Sequence, residues 1–255
     1  MISCCNIGYN GRFGNQMFQY AALMGFAAYS ELDFGIPKEN SEIEQITGQL
    51  QYKEKFDLPE CFQLKYSYLE QPPKYMYFDQ NKLEILPDQT DISGYFQSEK
   101  YFSHTKNELT KQFSFKQSIL DKSKELFNDA ENYVSVHIRR TDYTNLQEYH
   151  PLISKEWYEE AMKYFGDDKF LFFSDDIEWC KNNFDISNTF SESNDKYVDM
   201  CTMTRCKGHI IANSSFSWWG AYLGNGKTIA PKTWFGPNIN HQNDGSIYCK
   251  NWIIF

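Results

Sequence analysis

The chain has 255 residues, 41% hydrophobic and 18% aromatic, enough for one large domain or two small ones with full cores. Its net charge of -9 excludes wrapping nucleic acid, which needs a broad basic surface, so any phosphate site must be a local concentration of arginine. The aromatic excess (21 Phe, 18 Tyr and 6 Trp) suits a partner with flat apolar faces, such as a sugar ring or a base.

The seven cysteines are an odd number and form no CxxC pair, which argues against a zinc site or a disulfide framework. Reduced thiols and a cytoplasmic chain are expected. No signal peptide or membrane span is read, because the apolar stretch ALMGFAAY is too short; peripheral association with a membrane stays open.

In chain order, ISCCNI predicts a buried strand and GYNGRFG a glycine-rich turn. NQMFQYAALMGFAAYS predicts a helix, with Met17, Tyr20, Ala21, Met24 and Ala28 near helical spacing. Residues 37–90 carry little pattern, and QPPKYMYFDQNK predicts a surface loop. DISGYFQSEKYF predicts a strand leading into helix, and 105–128 further helix. From residue 132 the rhythm is regular. The strands NYVSVHI, KFLFFS, SNTF, HIIA and KTIA alternate with helical stretches at SKEWYEEAMKYF, capped by Ser154, and at DDIEWCKNNF, DKYVDMCTMTRC and SSFSWWGAYLG. Such alternation implies a parallel sheet covered on both faces, and hence two α/β lobes, residues 1–120 and 121–255.

Ligands of open parallel sheets bind at the carboxyl ends of the strands, and polar residues gather there. The strand VSVHI delivers His137, Arg139, Arg140 and Asp142. Arginine forks match phosphate oxygens, and alternation sends Arg139 to the side of His137 and Arg140 to the other. An internal salt-bridge network of Arg139, Arg140 and Asp142 is the alternative. After LFFS, Asp175 and Asp176 can cap the next helix, meet the N1–H and exocyclic amine of guanine, or hold a divalent metal. After HIIA, Asn213, Ser214 and Ser215 open a helix, either as caps or as an anion site on its N-terminus. Trp218 and Trp219 read as core under that loop. In the first lobe, Gly11 and Gly14 permit close approach and positive φ, with Arg12 and Asn15 beside them; this is neither G-x-G-x-x-G nor a P-loop.

Taken together, GRFGNQMFQYA, GYFQSEKYF, HIRRTDY, FFSDDIEWCKNNF, NSSFSWWGAYLG and APKTWF resemble the alpha-1,2-fucosyltransferases of glycosyltransferase family 11, in order along nearly the whole chain. Arg12 and Phe13 stand where family members usually show Gly-Leu. The resemblance implies an α/β fold of two Rossmann-like lobes facing a cleft (the GT-B architecture), with 1–120 on the acceptor side and 121–255 binding the GDP-sugar. It implies transfer of L-fucose from GDP-fucose, with inversion, to a hydroxyl of a glycan acceptor, the 2-OH of a galactoside. No metal and no cofactor beyond the donor substrate are implied. Carried onto this sequence, the resemblance places Arg139 near the β-phosphate, with Arg140 and Asp142 supporting that loop. It sets Asp175 or Asp176 at guanine or ribose and Ser214 and Ser215 at the pyrophosphate. Asn15 lies near fucose or the β-phosphate. Asp142, Glu148 and His150 are candidates for the base that takes the acceptor proton. A transferase using another nucleotide sugar, and a non-catalytic carbohydrate-binding protein, are the competing readings.

Overall fold

The computed structural model describes residues 1–47, 54–185, 187–242 and 244–255. Of the weakly patterned stretch 37–90, residues 48–53 therefore lie outside the described residues. The chain divides into two compact units, Met1–Lys116 and Gln117–Phe255.

The first unit contains β1 (Ile2–Ser3), α1 (Phe13–Tyr29), β2 (Phe34–Ile36), α2 (Glu42–Thr47), α3 (Leu58–Cys61), β3 (Ser67–Tyr68), β4 (Tyr75–Phe78), β5 (Thr90–Ser93) and α4 (Lys106–Gln112). Its five strands run parallel in the order β3-β2-β1-β5-β4. The helix α1 is buried almost all round, from Phe13 to Ala27, as expected of a helix apolar on every side. Phe26 meets Tyr77 at 5.2 Å, and Gly25 lets the backbone of Tyr101 approach so closely that a β-carbon would sit 1.8 Å from its carbonyl oxygen.

Two sequence expectations fail in this unit. QPPKYMYFDQNK is not a loop throughout: Tyr75–Phe78 is the edge strand β4, in register with Thr90–Ser93. Tyr77 points inward while Tyr75, Met76 and Phe78 are exposed, so the period-2 signal was masked by apolar residues on the open side. The helix expected over 105–128 is broken between Gln112 and Gln117. There Phe113 packs on Phe62 at 4.9 Å and Phe115 forms an antiparallel bridge to Phe62, contacts a continuous helix could not make.

The second unit contains α5 (Gln117–Leu126), β6 (Tyr133–Ile138), α6 (Lys155–Lys163), β7 (Lys169–Ser174), α7 (Ile177–Asn183), β8 (Thr189–Phe190), α8 (Lys196–Arg205), β9 (Gly208–Ile210), α9 (Ser215–Leu223), β10 (Lys227–Ala230) and β11 (Ile253–Ile254). Its parallel sheet has the order β11-β10-β9-β6-β7-β8. This is the doubly wound Rossmann order, in which the chain leaves β6 in one direction, returns, and continues from β9 in the other. Alternation builds a core on each face. Val134, Val136, Phe170 and Phe172 pack with Tyr158 and Cys180 of α6 and α7, whereas Leu171 and Phe173 pack with Met203 of α8. Trp218 and Trp219 are fully buried, with Trp218 stacked on Tyr222 at 4.7 Å and its indole N–H donating to Ile247 O at 2.6 Å. They are core, as read.

Candidate active site

In the second unit the carboxyl ends of β6 and β9 adjoin at the point where the strand order reverses, where doubly wound sheets bind ligands. The β6 turn carries Arg139 and Arg140 and the β9 turn carries Asn213 and Ser214.

Both arginines are held by carboxylates. Arg139 Nη2 lies 2.8 Å from Asp142 Oδ1 and its Nη1 lies 3.2 Å from Asp175 Oδ2. Arg140 leaves on the α7 side, with Nε 3.3 Å from Asp176 Oδ2 and its guanidinium 3.9 Å from the centroid of the Trp179 ring. The internal network left open by the sequence is therefore present, and alternation does separate the two side chains. Arg139 keeps a fifth of its side-chain surface exposed (19%) despite its two partners.

The carboxylates brace the arginine turn. Asp175 accepts from the N–H of Arg140 at 2.9 Å and the N–H of Thr141 at 3.1 Å, and also from the Thr141 hydroxyl. Asp176 caps α7 by accepting from Trp179 N–H at 3.3 Å. Both oxygens of each residue serve the arginine turn and the helix cap, which is the capping and bracing use among those read from sequence. Among the described residues no group of three or more His, Cys, Asp or Glu is placed to hold a metal ion.

The β9 turn also departs from expectation. Ser214 is the N-cap residue of α9, extended at φ -133° and ψ 129°, yet its hydroxyl makes no capping bond, and α9 has no acidic residue in its first turn. Ser215 is the first helical residue. The Ser217 hydroxyl instead donates back to Ala212 O and Ser214 O, at 3.3 and 3.2 Å. The Asn213 side chain has a structural use. Its amide donates to Pro151 O at 3.0 Å and to Trp234 O at 3.1 Å, pinning two loops to the turn.

His137 sits on the α9 face of β6, 5% exposed, with its ring 5.5 Å from that of Phe216 in the first turn of α9. Its Nδ1 is buried without a hydrogen-bond partner. Burial pushes the imidazole pKa down to about 4, Asp175 opposing and Arg139 assisting, so the ring is neutral near pH 7. Of the candidate bases, Asp142 is held by Arg139 and Glu148 is exposed. His150 stacks on Tyr143 at 4.9 Å, and burial lowers its pKa, with Asp142 opposing and Arg139 assisting.

In the first unit the switch lies between β1 and β5. Gly11 adopts φ +91°, and a β-carbon there would lie 2.0 Å from Asn15 Nδ2. Gly14 is instead an ordinary residue inside α1, not a positive-φ position, because the turn is completed before the helix begins. Asn15 accepts from Gln97 Nε2 at 2.7 Å. The exposed Arg12 places Nε 4.0 Å from Glu54 Oε1. Sequence reading missed Gln16, which donates to Lys55 O and accepts from Asp57 N–H, and Gln19, which donates to Asn10 O and Gly94 O. Three amides at 15, 16 and 19 near the start of an otherwise apolar helix were the available signal.

The sequence matches the model of glycosyl transferase family 11 over residues 2–255. It is 36% identical to an alpha-1,2-colitosyltransferase of Escherichia coli over 88% of this chain and 90% of that protein. It is 28% identical to the O-antigen biosynthesis glycosyltransferase WbnK of Escherichia coli over 99% of both. Galactoside alpha-(1,2)-fucosyltransferase 1 of Homo sapiens is 24% identical over 86% of this chain and 65% of its own length. Among solved structures, fucosyltransferase NodZ from Bradyrhizobium shares the fold with TM-score 0.56 and 11% identity, covering 88% of this chain and 93% of its own. POFUT1 in complex with GDP does so with TM-score 0.52 and 14% identity, over 90% and 97%. The chain belongs to glycosyl transferase family 11.

Proposed function

We propose that this enzyme is an inverting, GDP-sugar-dependent glycosyltransferase that moves L-fucose from GDP-fucose to the 2-hydroxyl of a galactoside within a glycan acceptor. The observation that carries the reading is the switch point of the second unit. Arg139, the start of α9 and the buried His137 with its unpartnered Nδ1 converge where a diphosphate needs donors. In the reaction the bond from the anomeric carbon to the β-phosphate oxygen breaks and a bond to the acceptor oxygen forms. The acceptor proton leaves to a base, and the departing GDP gains charge. Arg139 and the α9 N–H groups stabilise that charge as fixed donors, often the largest single catalytic contribution, so no divalent metal is required. Asn15 and Arg12 beside Gly14 are assigned to the sugar end of the donor, and Met1–Lys116 to the acceptor. Ser214 and Ser215 contribute backbone and hydroxyl donors at the pyrophosphate, whereas Arg140 and Asp142 brace the turn. A cytoplasmic location, with peripheral association at a membrane left open, completes the reading. Among the described residues no helix is long and apolar enough to cross a membrane.

A second donor is favoured by one observation, the 36% identity to an alpha-1,2-colitosyltransferase. Colitose is L-fucose without its 3-hydroxyl, so a site shaped for it has nothing to pair with that group. The test is turnover of GDP-fucose and GDP-colitose against a galactoside panel in excess EDTA. Transfer of fucose supports the reading, and preference for colitose replaces the sugar but keeps the site. Activity that returns only with manganese overturns metal independence, and glycan binding with no GDP binding leaves a carbohydrate-binding protein.

A further inference from the structure

Tyr143 joins the two turns that the preceding reading places at the diphosphate. It lies in the single-turn helix Asp142–Asn145 that follows the arginines and is 9% exposed. Its hydroxyl donates to the carbonyl of Asn213 at 2.9 Å, across 70 residues of sequence, just before the N-cap of α9. One side of its ring stacks on His150, centroids 4.9 Å apart and planes within 16°. The guanidinium carbon of Arg139 sits 5.6 Å from the ring centroid. Asn213 is held from the other side as well, through its amide bonds to Pro151 O and Trp234 O. The residue after His150 is thus clamped to the same peptide that Tyr143 holds.

We propose that Tyr143 is a positioning residue, a strut that fixes the Arg139 guanidinium relative to the start of α9. The reasoning rests on the functional reading above and deepens it. A diphosphate leaving group is stabilised by donors on two separate turns, and preorganisation counts only if both stand at the right spacing before charge develops. Neither turn is tied to the other by the sheet ladder, because β9 ends at Ile210 and β6 at Ile138. The phenol spans that gap. It touches Arg139 with its face and the α9 turn with its hydroxyl, so a shift of either turn is felt by the other. Misplacement of a catalytic group by an ångström costs on the order of 100-fold in rate.

The experiment is a double-mutant cycle of Tyr143→Phe and Arg139→Lys, read in donor kcat, donor KM, GDP affinity and Tm. Tyr143→Phe keeps the ring between His150 and Arg139 and removes only the hydroxyl. It is expected to lower kcat by roughly tenfold with donor KM changed by less than about threefold, the pattern of an interaction realised in the transition state. In the Arg139→Lys background the same change is expected to cost less than about threefold, because the group it positions has already lost its fork. Asn213→Ser, which loosens the same peptide from the other side, is expected to show the same coupling and serves if Tyr143→Phe does not fold. A lowered Tm with kcat unchanged, or strictly additive effects on kcat, overturns the proposal. A parent that neither binds GDP nor turns over a GDP-sugar overturns the functional reading and this strut with it. A parent that does both, beside an unchanged Tyr143→Phe, overturns the strut alone.

Discussion

Arg139 holds two carboxylates and Arg140 holds one, so removing either guanidinium leaves charge unpaired in a half-buried turn. The family resemblance gives the supporting role to Arg140 and Asp142; the structure assigns a structural share to both arginines. They differ in what else is lost. Arg140→Ala also removes the stack on Trp179 and a partner of the α7 cap Asp176, and Tm should fall by roughly 3–8 °C, the response of a unit of this size to 1–2 kcal/mol. Arg139→Ala should lower Tm less and turnover by roughly 100- to 1,000-fold, the scale for losing one donor to developing negative charge. Arg139→Lys should recover only part of that rate, because one ammonium cannot reproduce the fork. Paired melts and single-turnover rates check the contrast. Near-normal turnover in folded Arg139→Ala would move the phosphate site elsewhere. Asp176→Ala is expected to lower Tm without changing the preference for GDP over ADP, which calorimetry reads directly.

At the scale of elements, α1 shows two backbone preferences pulling opposite ways. Gly25→Ala should help the helix by about 1 kcal/mol in propensity. Yet the new methyl would sit 1.8 Å from Tyr101 O and 2.8 Å from its carbonyl carbon, backbone atoms that cannot swing aside like a side-chain end. The clash wins, and we expect a net loss of roughly 1–3 kcal/mol in urea unfolding, the usual cost of overpacking. An unchanged midpoint would mean that α1 and the Tyr101 turn slide apart freely. The same helix shows what sequence could tell. Its apolar residues are dense enough to announce a buried helix, and the strands β6, β7 and β9 announce themselves because each is a short apolar run ended by polar residues. The edge strand β4 did not, since exposed Tyr75, Met76 and Phe78 erase the alternation that marks a half-buried strand. Nor did β11, two residues long. Arg139 and Arg140 were legible because adjacent arginines at a strand end demand partners. Which carboxylate answers which arginine was not, because Asp175 and Asp176 differ by one position and only the fold decides their targets.

For the molecule as a whole, two buried histidines contribute to the response to acid. His209 is paired in register with Ser135, whose hydroxyl lies 2.8 Å from its Nδ1, and is fully buried. Burial pushes its pKa down to about 4, partly opposed by a hydrogen bond involving the Asn225 backbone, and His137 is likewise held at about 4. An unfolded chain titrates these rings near 6.5, so between roughly pH 6.5 and 4 the unfolded state binds the extra protons. Their contribution is therefore fully present above about pH 6.5 and lost as pH falls toward 4, up to about 3 kcal/mol for each ring. Asp91 and Asp199 work in the other direction. Burial raises both pKa values, against hydrogen bonds from Ser3 and Cys5 to Asp91 and from Ser191 and Ser193 to Asp199. Each therefore favours the folded state at low pH and loses that contribution as pH rises through its folded pKa. A parent melting curve mixes the two signs, so the difference between variants is the useful quantity. His209→Gln stays neutral at every pH, and its Tm should fall less than the parent's between pH 7.5 and 5. Since His209 lies away from the arginine turn, GDP affinity at pH 7.5 should be unchanged. Parallel Tm curves for parent and His209→Gln across that interval would show that this ring titrates alike in the folded and unfolded chains. The acid sensitivity would then come from the other groups with lowered pKa, among them His137 beside α9 and His150.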